Sequence, residues 1–179
     1  MRLFVAIALP EEARAMLARF ESGLPGARWV APETFHVTLR FIGEVGRGEA
    51  EDLHAALSGI YAPAFQLAFD GLGTFGNDRA QRALWAGVAA NPALEHLRDK
   101  VESATVRSGF DAERRKFKPH VTLARLKGTP VDRLSEYLAL HGGIAIPSFE
   151  VDAFTLFRSH LGDEGARYEL LAEYPLLLP

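Results

Sequence analysis

The sequence predicts an α+β protein with two pseudo-symmetric lobes. They would come from a duplicated β-α-β-α-β unit, with mainly antiparallel sheets flanking a central cleft. Three observations predict this. The tetrapeptide His-Val-Thr-Leu occurs at 36–39 and again at 120–123. The same order of elements surrounds both copies. The expected strands outnumber the helices, and several are hairpin neighbours.

Each element has a local reason. Residues 3–9 form a run too short and too apolar for a surface helix, and read as a buried strand rather than a signal peptide. Pro10, Glu11 and Glu12 open a helix to about Phe20, because proline and carboxylates suit a first turn. Leu24-Pro25-Gly26 breaks it. Trp29-Val30 and His36–Phe41 read as strands. Gly46-Arg47-Gly48 is a loop, and Leu53, Leu57 and Ile60 give helical period to 49–60. Phe65–Phe75 and Arg82–Ala89 read as a hairpin around Gly76-Asn77-Asp78. Asn91-Pro92 starts a helix to about Val106. A strand at 119–125, a helix at 131–140 and strands at 147–158 and 166–174 follow.

That order repeats. Pro10 and Pro92 stand at matching places, and the step between them is nearly the step from His36 to His120. Phe65 follows His36 at the same interval along the chain as Phe149 follows His120. The chain of 179 residues is therefore expected to be one bilobal domain with an internal repeat of about 1–81 and 82–179. A monomer is the default expectation.

Composition narrows the classes. There is no cysteine, which excludes disulfides, thiolate metal sites and a Cys nucleophile, and fits a cytoplasmic location. No apolar stretch is long enough to span a membrane, so no membrane partner is expected. Net charge is −3, unlike a general nucleic-acid coat. A local basic segment does occur at 107–127, with Arg114, Arg115, Lys116 and Lys118 just before the second HVTL.

Alternate side chains of a strand share a face. His36 and Thr38 therefore point one way, with Val37 and Leu39 opposite. The same holds for His120 and Thr122 against Val121 and Leu123. Packed about a pseudo-twofold axis, the two pairs would face one cleft. One imidazole can act as a base and another as an acid near neutral pH. The threonine hydroxyls suit an anionic oxygen. In-line displacement at a phosphate fits this set. His54, His96, His141 and His160 sit in helices or near turns and are assigned structural roles. There is no HExxH, and no acidic residue flanks either HVTL on its polar face, so neither metal nor cofactor is expected. Gly71-Leu72-Gly73 reads as a strand bend rather than a phosphate cradle.

The paired H-x-T-x motifs, one in each half of the chain, resemble those of the 2H phosphoesterase superfamily. The segments RLFVAIALP, WVAPETFHVTLRFIGEV, FKPHVTLAR and FTLFRSHL narrow the resemblance to its RNA 2′,3′-cyclic phosphodiesterase branch, also called the 2′-5′ RNA ligase family. The resemblance implies opening of a terminal 2′,3′-cyclic phosphate to a 2′-phosphate without metal or ATP. The substrate would be an RNA end or a small cyclic nucleotide. His36 would be the proton donor to O3′ and His120 the proton acceptor from water. Thr38 and Thr122 would hold nonbridging oxygens. The family also has an Arg five residues after the second motif His, here Arg125. Strict alternation turns Arg125 away unless a bulge restores it, and by parity favours Arg40. Phe41, at the matching position of the first unit, is expected in the core, with base stacking as the alternative. Trp29 and Trp85 are expected in the core. Reversible 2′-5′ ligation and a non-catalytic RNA-end binding module are the competing functions.

Overall fold

The structure is a computed structural model that describes residues 1–77 and 80–179. Its strands are β1 (Arg2–Ala8), β2 (Ala27–Trp29), β3 (His36–Glu44), β4 (Phe65–Leu67), β5 (Phe69–Asn77), β6 (Ala80–Val88), β7 (His120–Leu126), β8 (Phe149–Val151), β9 (Ala153–Gly162) and β10 (Gly165–Pro175). Its helices are α1 (Glu11–Ala18), α2 (Arg47–Ser58), α3 (Pro92–Arg107) and α4 (Val131–His141). The expected α+β class holds, and every expected helix is present within a few residues of its expected bounds.

Local chemistry sets those bounds. The Asn91 side chain accepts a hydrogen bond from Leu94 N at 3.1 Å, and Pro92 occupies the first turn of α3. Leu94, Leu97, Val101 and Ala104 then bury one helical stripe. At α2 the Glu49 carboxylate accepts from Gly46 N at 2.8 Å. Pro10 precedes α1, with Glu11 and Glu12 in its first turn.

Two long strands expected from sequence are each split by one residue, Ala68 and Asp152. The chain changes sheet there. One four-stranded sheet has the order β10-β9-β1-β3, the other β2-β7-β6-β5, and β4 pairs with β8 in a separate ribbon. All these pairings are antiparallel. Within the ribbon Phe65 faces Val151, Gln66 faces Glu150, and Leu67 faces Phe149. Gln66 and Glu150 are equivalent positions of the repeat, offset along the chain as the two histidines are. The order β9-β1-β3 in one sheet matches the order β5-β6-β7 of the equivalent strands in the other. The expected hairpin joins β5 and β6, with Gly76 opposite Gln81 and Asn77 opposite Ala80; Asp78 lies outside the described residues.

One continuous core runs through both sheets. Leu3, Val5 and Ile7 of β1 and Val121 and Leu123 of β7 belong to it, together with inner helix residues such as Leu53 and Leu97. Phe4 is only 3% exposed, yet it lies outside that cluster. It faces the other side of its sheet, where His36 is. Among the described residues no helix is long and apolar enough to cross a membrane.

Candidate active site

His36 opens β3, just after a 3-10 turn at Pro32–Thr34. Its Nδ1–H donates to the Thr34 carbonyl at 2.8 Å, and its Nε2 lies 3.0 Å from Thr38 Oγ1. His120 opens β7 and donates from Nδ1 to the Lys118 carbonyl at 2.6 Å. A carbonyl only accepts, so in both rings Nδ1 carries hydrogen and Nε2 is left for chemistry. Each ring is thus fixed by the carbonyl two residues upstream. Val37, Leu39, Val121 and Leu123 are all in the core, so both His-Thr pairs occupy the opposite face, as their parity requires.

Burial pushes the His36 imidazole below the usual 6.5. Its bond to Thr34 opposes this shift, and the His120 charge adds to it. Burial likewise lowers His120 against the opposing bond to Lys118. The two rings therefore interact electrostatically, and β3 lies against β7.

Aromatic rings flank both imidazoles. Phe4 lies 5.0 Å from the His36 ring, and Tyr168 meets it edge-on at 5.3 Å. Phe75 meets His120 edge-on at 4.8 Å, with Trp85 at 6.0 Å. Trp85 is half-buried beside His120 rather than in the core, which corrects its expected position. Gly73 is required beneath it, because a Cβ there would collide with the indole. Trp29 does pack against the core, beside Tyr137. Nothing in the apolar stretch around Phe4, or in the RYELLAEY segment of Tyr168, marks these two as site residues.

The bulges decide which cations reach the site. In β7 the partner of Trp85 is Thr122, but the partner of Leu84 is Ala124. Leu123 is the extra residue, and both Leu123 and Ala124 are buried. Arg125, opposite Ala83, therefore returns to the face of His120 and Thr122, and it is exposed. The same shift in β3 makes Leu39 the extra residue and turns Arg40 to the helix-covered side, opposite Val5. Arg40 is 9% exposed and donates from Nε to Glu102 at 2.6 Å. It also donates to the Phe41 carbonyl at 2.5 Å and to the Asp111 carbonyl. Parity's preference for Arg40 as the site cation is thereby corrected. Phe41 returns to the His36 face, 6.1 Å from Phe4, and is 54% exposed rather than in the core.

The remaining histidines have other surroundings. His54 Nδ1 lies 2.8 Å from the Tyr174 hydroxyl, and His160 Nε2 lies 2.6 Å from Glu169. His141 packs on Tyr137, and His96 is exposed on α3. Among the described residues no three His, Asp or Glu side chains cluster as metal ligands.

The model of the LigT-like phosphoesterase family matches this chain twice, over 7–85 and 88–168. The RNA 2′,3′-cyclic phosphodiesterase of Geobacillus stearothermophilus is 36% identical over 181 residues, 97% of this chain. The chain spans 57% of the length of that relative. The protein of the same name from Aeropyrum pernix is 37% identical over 85% of this chain and 87% of its own. Among solved structures, apo LigT of E. coli superposes with a TM-score of 0.79 at 31% identity, covering 98% of this chain and 96% of its own. LigT complexed with 3′-AMP gives 0.78, also at 31% identity, covering 98% of this chain and 97% of its own. On these matches across both units, the chain belongs to the LigT-like phosphoesterase family.

Proposed function

We propose that this protein hydrolyses the terminal 2′,3′-cyclic phosphate of RNA to a 2′-phosphate. One observation carries the reading. Two His-Thr pairs begin equivalent strands, and each imidazole is anchored through Nδ1 with Nε2 left free of the backbone. Water attacks phosphorus, and His120 Nε2 takes its proton. The P–O3′ bond breaks with its electron pair on O3′, which takes a proton from His36 Nε2. The products are a 2′-phosphate and a 3′-hydroxyl, and solvent exchange returns both histidines to their starting states. Pseudo-symmetry does not decide which histidine is the acid; that assignment rests on the family resemblance. Thr38, Thr122 and Arg125 hold the nonbridging oxygens, where charge develops in the transition state. The curated relatives' name and the 3′-AMP complex of LigT support an RNA-end substrate.

A short RNA with a 2′,3′-cyclic end, incubated with excess chelator, tests this. Wild type yields a 2′-phosphate, and His36→Ala and His120→Ala each lower the rate by about 10²–10⁴-fold. A cyclic end left intact by wild type overturns the reading.

A further inference from the structure

On the cleft face of the second sheet two arginines stand directly opposite each other. Arg28 of β2 pairs in register with Arg125 of β7. Their neighbours Ala27 and Trp29 oppose Leu126 and Ala124 of the core, so both guanidinium groups project from the other face. Both are exposed. Like charges directly opposite across strands repel. Among the described residues no carboxylate pairs with either. Across the cleft the hydroxyl of Tyr168 feels the charges of Arg125 and of Arg2, so the mouth beside His36 is cationic on both walls. Its aromatic wall continues through Phe4 to the exposed ring of Phe41.

We infer that Arg28 forms a second phosphate subsite, which takes the phosphate on the 5′ side of the terminal nucleotide while Arg125 serves the cyclic phosphate. This rests on the function proposed above. It specifies the substrate as a strand end carrying at least one further phosphate, not a bare cyclic nucleoside. A phosphate on each guanidinium relieves the repulsion that the free protein carries.

Three substrates separate the possibilities: a nucleoside 2′,3′-cyclic phosphate, the same compound with a 5′-phosphate, and a dinucleotide with a cyclic end. Wild type favours the second and third over the first in kcat/KM, by about five- to twenty-fold. Arg28→Gln removes most of that gain through KM and lowers the slope of log KM against log salt on the dinucleotide by about 0.7. An equal kcat/KM for all three in wild type overturns the inference and leaves the hydrolase reading intact. So does a gain that survives Arg28→Gln, or an equal loss on all three substrates. Failure of wild type to open any of the three overturns the hydrolase reading itself.

Discussion

His36 and His120 each give one ring nitrogen to a backbone carbonyl and leave the other free of the backbone, which suits the proton transfers proposed above. Burial holds both below 6.5, which shapes the pH profile. Above that value the acid has lost its proton, and well below it the base is protonated. The kcat/KM for a cyclic mononucleotide is therefore expected to peak at or below pH 6.5 and to fall by pH 8. A rate that is flat up to pH 9 would argue against histidine as the acid. Because both folded values are depressed, the stability these rings contribute is present above pH 6.5 and is lost as the pH falls. Glu21 behaves oppositely. Its Oε1 is buried with no hydrogen-bond partner among the described residues, and burial, aided by Glu33, pushes its carboxyl up to about 7. A raised carboxyl contributes fully below its ordinary 4.5 and loses that contribution as pH rises through 7. Glu21→Gln should therefore stabilise the protein at pH 8 by about 1–2 kcal/mol, after discounting for solvent screening, and have little effect at pH 4.5. Thermal melts at both values check this.

At the scale of elements, β3 and β7 carry matching bulges with opposite outcomes for charge. In β7 the extra residue brings an arginine to the site face, and in β3 it brings Phe41 there and sends Arg40 inward. Arg40 then works as a fastening. Glu102 of α3 accepts from Arg40 Nε at 2.6 Å and from Glu113 N at 2.7 Å. Arg40 also holds the Asp111 carbonyl. The segment between α3 and β7, which ends at His120, is thus tied to both β3 and α3. Removing one partner strands a buried charge, so Arg40→Met should cost about 3 kcal/mol. The double change Arg40→Met with Glu102→Leu should recover part of that loss. Urea denaturation of both single variants and the double measures this, and a double loss equal to the sum of the two single losses would show that the pair is not coupled.

For the whole molecule the sheet order has a folding consequence. β5 and β6 precede the midpoint of the chain yet share a sheet with β7, while β9 crosses back to pair with β1. Neither sheet is completed by one half of the sequence. Fragments cut between Asn77 and Ala80 should each lack a cooperative melt alone and regain one when mixed. Near-ultraviolet circular dichroism reports the change. A fragment that melts cooperatively by itself would show that its half is an independent lobe. The continuous core through both sheets agrees with mutual dependence.

Much of this was legible in the amino acids themselves. Proline and Asn91 set helix starts because capping acts within one turn. The HVTL repeats set the His-Thr faces because strand parity holds over a few residues. The repeated order of elements around them carried the α+β class and the pairing of two histidines. Tertiary structure decided the rest. Parity failed at Arg40, Phe41 and Arg125 because an extra residue depends on how a partner strand is aligned, and α1 and β2 separate β1 from β3 along the chain. Trp85 left the core because Gly73, on a neighbouring strand, makes room for its ring beside His120. The opposed arginines at 28 and 125 are separated by most of the chain, and only strand pairing brings their charges together.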